Sequence, residues 1–288
     1  MAVITPDSEG NTVSDKKSRQ QHVCSADGTS IAVTVTGRGR PLVVAPGSLS
    51  TAQDWQPVAD ALAPHFTTYA VDRRGHGASG DNPDFSIERE QQDIAAVLEL
   101  AGHDAILLAH SYGAVVALGL ALNEAPAAVI VYEPPVPLGG PVAGEALAPF
   151  ERAVDDGDLD GALTLGLRHL IKMDEPVIEM IRNTPLWAPR AALTPTWGRE
   201  LRAIDAFGPN LTRLGTLKMP TLLIIGELSP PWLVDTSRQL QQAIPDSRLA
   251  VIGGQAHDAH LGDPEALASV ILTFVGDLAP RADEPTSS

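Results

Sequence analysis

One junction constrains this chain more than any other stretch: Leu107-Leu108-Ala109-His110-Ser111-Tyr112-Gly113-Ala114. Residues 105–109 form an apolar run of strand length. Residues 112–123 form a small-residue run of helix length, and Ser111 sits between them with no room for a loop. A turn this tight needs small neighbours, because the strand and helix backbones approach closely. Gly113 meets that need, and Ala109 stands where such turns usually carry a second glycine. A serine here could simply cap a helix. The strand before and helix after favour a reactive hydroxyl instead, raised above a sheet and next to free amides at a helix start.

The rest of the chain supplies the sheet. Residues 22–25 and 31–36 flank Asp27-Gly28, a hairpin signal. Apolar strand-length runs follow at 42–45, 67–71, 105–109, 128–132, 221–225 and 248–252. Helical patterns lie between them at 53–63, 86–100, 112–123, 233–243 and 264–275, with Ser86 able to cap the second. Alternation of this kind predicts an α/β fold: a mostly parallel sheet with helices on both faces and an antiparallel edge. Residues 134–216 break the pattern with helix-like, proline-containing stretches, which predicts an inserted helical cap. The expected organisation is a flexible lead-in at 1–20, a core at 21–133 and 217–278, the cap at 134–216 and a polar tail at 279–288.

Charge excludes some partners. With 36 acidic and 20 basic residues the formal charge is −16. Such a surface repels phosphate backbones and anionic lipid, so neither nucleic acid nor membrane is an expected partner. Cys24 is the single cysteine, so no internal disulfide can form. It is read as a small core residue. The polar start lacks the apolar stretch of a signal peptide, and no run has the roughly 18 apolar residues of a membrane span. A cytoplasmic protein acting on a small molecule is the expectation.

Four stretches, in order, resemble the α/β-hydrolase superfamily. Pro46-Gly47-Ser48 with Asp54-Trp55 resembles the oxyanion loop, Pro46 replacing its usual histidine. Asp72-Arg73-Arg74-Gly75-His76-Gly77-Ala78-Ser79 resembles the turn after the fourth strand. The stretch from Ala109 to Gly113 resembles the nucleophile elbow, and Gly254-Gln255-Ala256-His257 the loop carrying the catalytic base. The resemblance implies Ser111 as nucleophile and His257 as base. It implies the backbone amides of Ser48 and Tyr112 as oxyanion donors, each worth about 3 kcal/mol in the transition state. Among the eight histidines, His260 is the weaker second candidate for the base. His110 is expected to shape the elbow and His76 to serve the arginine-rich turn.

The acid departs from the family pattern. Its usual aspartate site falls in Gly226-Glu227-Leu228-Ser229-Pro230, where Ser229 occupies the position. Serine cannot stabilise an imidazolium as a carboxylate does. Two carboxylates could substitute: Glu133, after the sixth strand, which is favoured, and Glu227.

The leading expectation is a serine hydrolase of esters, thioesters or lactones working through an acyl-enzyme, with no metal or organic cofactor implied. The absent aspartate keeps open a non-hydrolytic enzyme using His257 as a base on the substrate: an acyltransferase, a lyase or a cofactor-free tailoring enzyme. A silent ligand-binding protein is a third possibility. Trp187, Trp197 and Trp232 are the candidate walls of an apolar pocket. Asp155-Asp156-Gly157-Asp158 reads as a solvated turn rather than a metal loop.

Overall fold

The computed structural model describes residues 18–208 and 211–278. Eight strands form one sheet: β1 (Arg19–Cys24), β2 (Ser30–Gly37), β3 (Arg40–Ala45), β4 (Phe66–Val71), β5 (Ile106–His110), β6 (Ala128–Tyr132), β7 (Thr221–Gly226) and β8 (Ser247–Ile252). Their spatial order is β1-β2-β4-β3-β5-β6-β7-β8. The β1–β2 and β2–β4 pairs are antiparallel, and every pair from β4–β3 to β7–β8 is parallel.

The apolar strands are buried on both faces because successive side chains point to opposite sides. Leu42, Val44, Ile106, Leu108, Ile130, Leu222 and Ile224 join one apolar cluster, whereas Val43, Leu107, Val129, Val131 and Leu223 join the other. The first cluster is closed by α1 (Gln56–Leu62) and α12 (Pro264–Gly276), through Val58, Leu62, Leu267 and Ile271. The second is closed by α2 (Ile87–Ala101), α3 (Ser111–Ala121) and α10 (Pro231–Ala243), through Ile94, Val97, Val115, Leu118 and Leu240. Ser86 caps α2 by accepting from the Arg89 amide at 3.3 Å.

Between β6 and β7 the described residues hold only helices: α4 (Leu147–Asp155), α5 (Leu159–His169), α6 (Glu175–Arg182), α7 (Trp187–Ala192), α8 (Thr194–Phe207) and α9 (Leu211–Leu214), after a 3-10 turn at Gly144–Ala146. Asp158, from the acidic run, caps α5 by accepting from the Gly161 amide at 2.9 Å. This cap joins the sheet's second cluster through Phe150, Leu163, Trp197, Leu201 and Ile204.

Three expectations need correcting. The helix expected at 53–63 is two pieces, a 3-10 turn at Ala52–Trp55 and then α1. Pro57 lacks an amide hydrogen and fits only a first helical turn, so the α-helix starts beside it. Arg19 and Gln20, expected in the lead-in, belong to β1 and pair with Val35 and Thr34; residues 1–17 and 279–288 lie outside the described residues. Cys24 is exposed rather than in the core, because β1 is the outermost strand. Residues 259–262 form a short helix, α11 (Ala259–Gly262), that periodicity did not reveal. No described helix is long and apolar enough to cross a membrane.

Candidate active site

The junction of β5 and α3 is as tight as its sequence demands. Ser111 takes φ +52°, a left-handed conformation that costs an L-residue roughly 1–2 kcal/mol. Packing holds it there. A Cβ added to Gly113 would come within 2.4 Å of the Ala45 and Pro46 carbonyl oxygens. One added to Gly47 would meet Ser111 Cβ at 2.8 Å. The chain leaving β3 therefore abuts the elbow, and only glycines permit it. Ser111 is the first residue of α3, so the Tyr112 amide lies among the unpaired donors of the first turn.

Above the elbow lies a cavity of about 710 Å³ between sheet and cap. Ser48, Ser111 and His257 line it with Leu163, Leu167 and Ile204 of the cap. Trp197 and Trp232 also contribute wall, but Trp187 does not. Its indole donates to Asp160 at 2.8 Å, and Arg182 stacks over its ring at 4.5 Å. Its polar edge is thus satisfied within the cap. Lys172, Asp174, Arg190 and Asp258 add charges of both signs to an otherwise apolar lining.

Glu133 follows β6 at φ +47° and is fully buried. Its Oε1 accepts from the Gly226 amide at 2.7 Å, and its Oε2 accepts from His257 Nδ1 at 2.6 Å. The imidazole thereby presents Nε2 away from the carboxylate. Burial pushes the His257 pKa down, but the Glu133 hydrogen bond and charge, aided by Asp258, outweigh it and raise it above 6.5. Glu227 is elsewhere: it is exposed, and its Oε2 accepts from the Gly254 amide at 2.7 Å. Ser229 is buried with an unpartnered hydroxyl.

Two residues hold the His257 loop. His110 Nε2 donates to the His257 carbonyl at 2.9 Å, and the Tyr132 hydroxyl donates to the Ala256 carbonyl while accepting from the Ala259 amide. His110 therefore reaches beyond the elbow it was expected to shape. Burial, then the charges of His257 and His260, keeps it neutral, which suits a ring bearing its one proton on Nε2. Tyr132 had no sequence signal beyond ending a strand. His260 is buried, stacks on Trp55 at 4.7 Å, and is not part of the cavity wall. His76 does serve its turn, through Nδ1 to the Arg74 carbonyl at 3.1 Å.

One described cluster could hold a metal ion: His110, Asp258 and His260, whose donor atoms lie within 4.8 Å of one another. His110 Nε2 is already engaged by the His257 carbonyl, which leaves the cluster two imidazoles only if Nδ1 is the ligand atom.

Comparison with known proteins agrees with this architecture. An α/β hydrolase from Sphaerobacter thermophilus DSM 20745 superposes with a TM-score of 0.83 at 31% identity, covering 88% of this chain and 100% of that one. The esterase RhEst1 from Rhodococcus sp. ECU1013 superposes at 0.73 with 26% identity, covering 90% and 99%. N-formylmaleamate deformylase from Pseudomonas putida strain KT2440 is 37% identical over 105 residues, which is 35% of this chain and 39% of that protein. Residues 42–270 match the sequence pattern of the Alpha/beta hydrolase family, and the chain is an enzyme belonging to that family.

Proposed function

We propose that this hydrolase cleaves an ester, thioester or lactone of a small, largely apolar substrate through an acyl-enzyme on Ser111. The 2.6 Å contact between Glu133 and His257, beside a serine held on a strained elbow, carries this reading. In the proposed cycle His257 Nε2 takes the Ser111 hydroxyl proton as Oγ bonds to the acyl carbon. The amides of Ser48 and Tyr112 receive the resulting oxyanion. The tetrahedral intermediate collapses, the bond to the leaving oxygen or sulfur breaks, and His257 returns the proton to it. Water, deprotonated by His257, then releases the acid and frees Ser111.

Ser111 and His257 line the same cavity without a direct hydrogen bond between them; such bonds tighten when substrate arrives. An esterase and a deformylase among the similar proteins both have names that denote acyl removal from a heteroatom. The reason to consider His257 acting alone on a substrate is a missing acid, and Glu133 offers that acid.

A fluorophosphonate probe tests the proposal. Stoichiometric labelling of Ser111, abolished in His257→Ala, is expected. Folded protein that resists labelling overturns it. A series of p-nitrophenyl esters then sizes the acyl pocket.

A further inference from the structure

A second charged cluster lies beneath the cap, around Arg73. This side chain is 2% exposed and its guanidinium reaches four elements at once. Nη1 donates to Glu90 on α2 at 2.9 Å. Nη2 donates to Glu200 on cap helix α8 at 2.8 Å and to the Gly47 carbonyl at 3.0 Å, and it meets His76 Nε2 at 3.2 Å. The guanidinium carbon also stands 4.8 Å from the centroid of the Tyr112 ring. Glu90 and Glu200 are themselves buried, so the arginine stays charged.

The Gly47 contact matters because of which peptide it holds. The Gly47 carbonyl and the Ser48 amide belong to one planar trans unit, in which C=O and N–H point in opposite directions. An arginine that fixes the carbonyl on one side therefore aims the Ser48 amide to the other. Its charge also polarises that peptide and strengthens the amide as a donor. The second oxyanion residue, Tyr112, rests its ring on the same guanidinium. We infer that Arg73 is the positioning residue of the oxyanion hole, and that Glu200 makes this positioning depend on the seating of α8. Substrate held under the cap and the donors that stabilise its transition state are thus coupled through one buried arginine. This inference rests on the proposed acyl-enzyme reaction.

Arg73→Lys tests it, because a lysine keeps the charge but cannot span two carboxylates and the Gly47 carbonyl together. Turnover of a p-nitrophenyl ester is measured per Ser111 site titrated with fluorophosphonate. Expected is a fall in kcat per site of about 10- to 100-fold with KM changed less than about threefold. Glu200→Gln, which keeps an oxygen for Nη2 but removes the charge, should give a smaller fall of the same kind. A merely structural role would lower the melting temperature and the number of titratable sites while leaving kcat per site at the parental value, and that result overturns the inference. The Ser48 amide resonance of the full chain gives a readout free of turnover. It should shift and exchange faster in Arg73→Lys. If Arg73→Lys does not fold, the same two measurements on Glu200→Gln decide. If the parental Ser111 resists the probe, a displaced Ser48 amide upholds the role of Arg73 and only the reaction is misread. An unmoved amide overturns both.

Discussion

The edge of the sheet and the cap meet over one cavity, but they hold their side chains differently. At the sheet edge Ser111 and Glu133 both sit at positive φ directly after strands, and Glu133 is fixed through backbone and side chain. In the cap, Leu163, Leu167 and Ile204 present apolar walls from helices with no such bonds. Rigid strand ends fix reacting groups to a fraction of an ångström, whereas apolar wall side chains laid over them can change without disturbing that geometry. The division predicts that changes at the sheet edge act on kcat and changes in the apolar cap wall act on KM, with Glu200, bound to Arg73, grouped with the sheet edge.

Ser111→Ala should have the largest effect. It should lower kcat by about 10⁶-fold while the circular dichroism spectrum is kept. A residual rate within tenfold of the parent would move the chemistry away from the elbow. Glu133→Gln should cost about 10³- to 10⁴-fold in kcat, and Glu227→Gln less than threefold. The same pair of variants fixes the pH dependence. With Glu133 present the raised pKa of His257 keeps the base protonated past pH 6.5, so kcat/KM should climb only above that value. In Glu133→Gln the charged imidazole loses its partner, its pKa drops, and the acid limb should move to lower pH. A limb that stays put would dissociate Glu133 from the base.

Legibility follows the range of the contacts involved. The elbow was plain in sequence because strand, serine, helix and glycines are neighbours in the chain. His257 could be placed from its position after the last strand. Glu133 and Glu227 both follow strands and both accept from a backbone amide, so local pattern could not separate them. What separates them is a contact between residues 124 apart in sequence. The same applies to Tyr132, whose hydroxyl meets a loop 124 residues away. Trp187 failed as a pocket residue because composition marks an aromatic cap residue but not the Asp160 and Arg182 side chains that claim it. Cys24 failed because burial of a strand depends on its rank in the sheet.

Ile181→Ala, on α6 in the cavity wall, should raise KM for a long-chain ester by about tenfold with kcat within threefold. An equal loss in kcat would mean that the apolar wall, and not Glu200 alone, shapes the transition state. The least effect should be on acid stability. His76, under the cap, is held near pKa 4 by burial and then by Arg73; His260, near the elbow, is held near 4 by burial against weaker opposing charges. Both are neutral when folded but take protons below pH 6.5 when unfolded, so stability should fall between pH 6.5 and 4. Glu90, raised by burial, and His257, raised by Glu133, act in the opposite sense, but His110 joins His76 and His260, so two groups stand against three. His260→Phe, which keeps a ring on Trp55, should flatten that fall in a melting-temperature series.

If Glu133, after β6, serves as the proposed acid, the turn after β7 is released from that role. Gly226 must keep its amide for Glu133, yet Leu228 and Pro230 line the cavity without any proton to manage, and the Leu228 side chain is 67% exposed. On that proposal, the turn that resembles the family's usual acid site supplies a strip of cavity wall instead. New substrates can be tried there by single substitutions, with the reacting groups left in place.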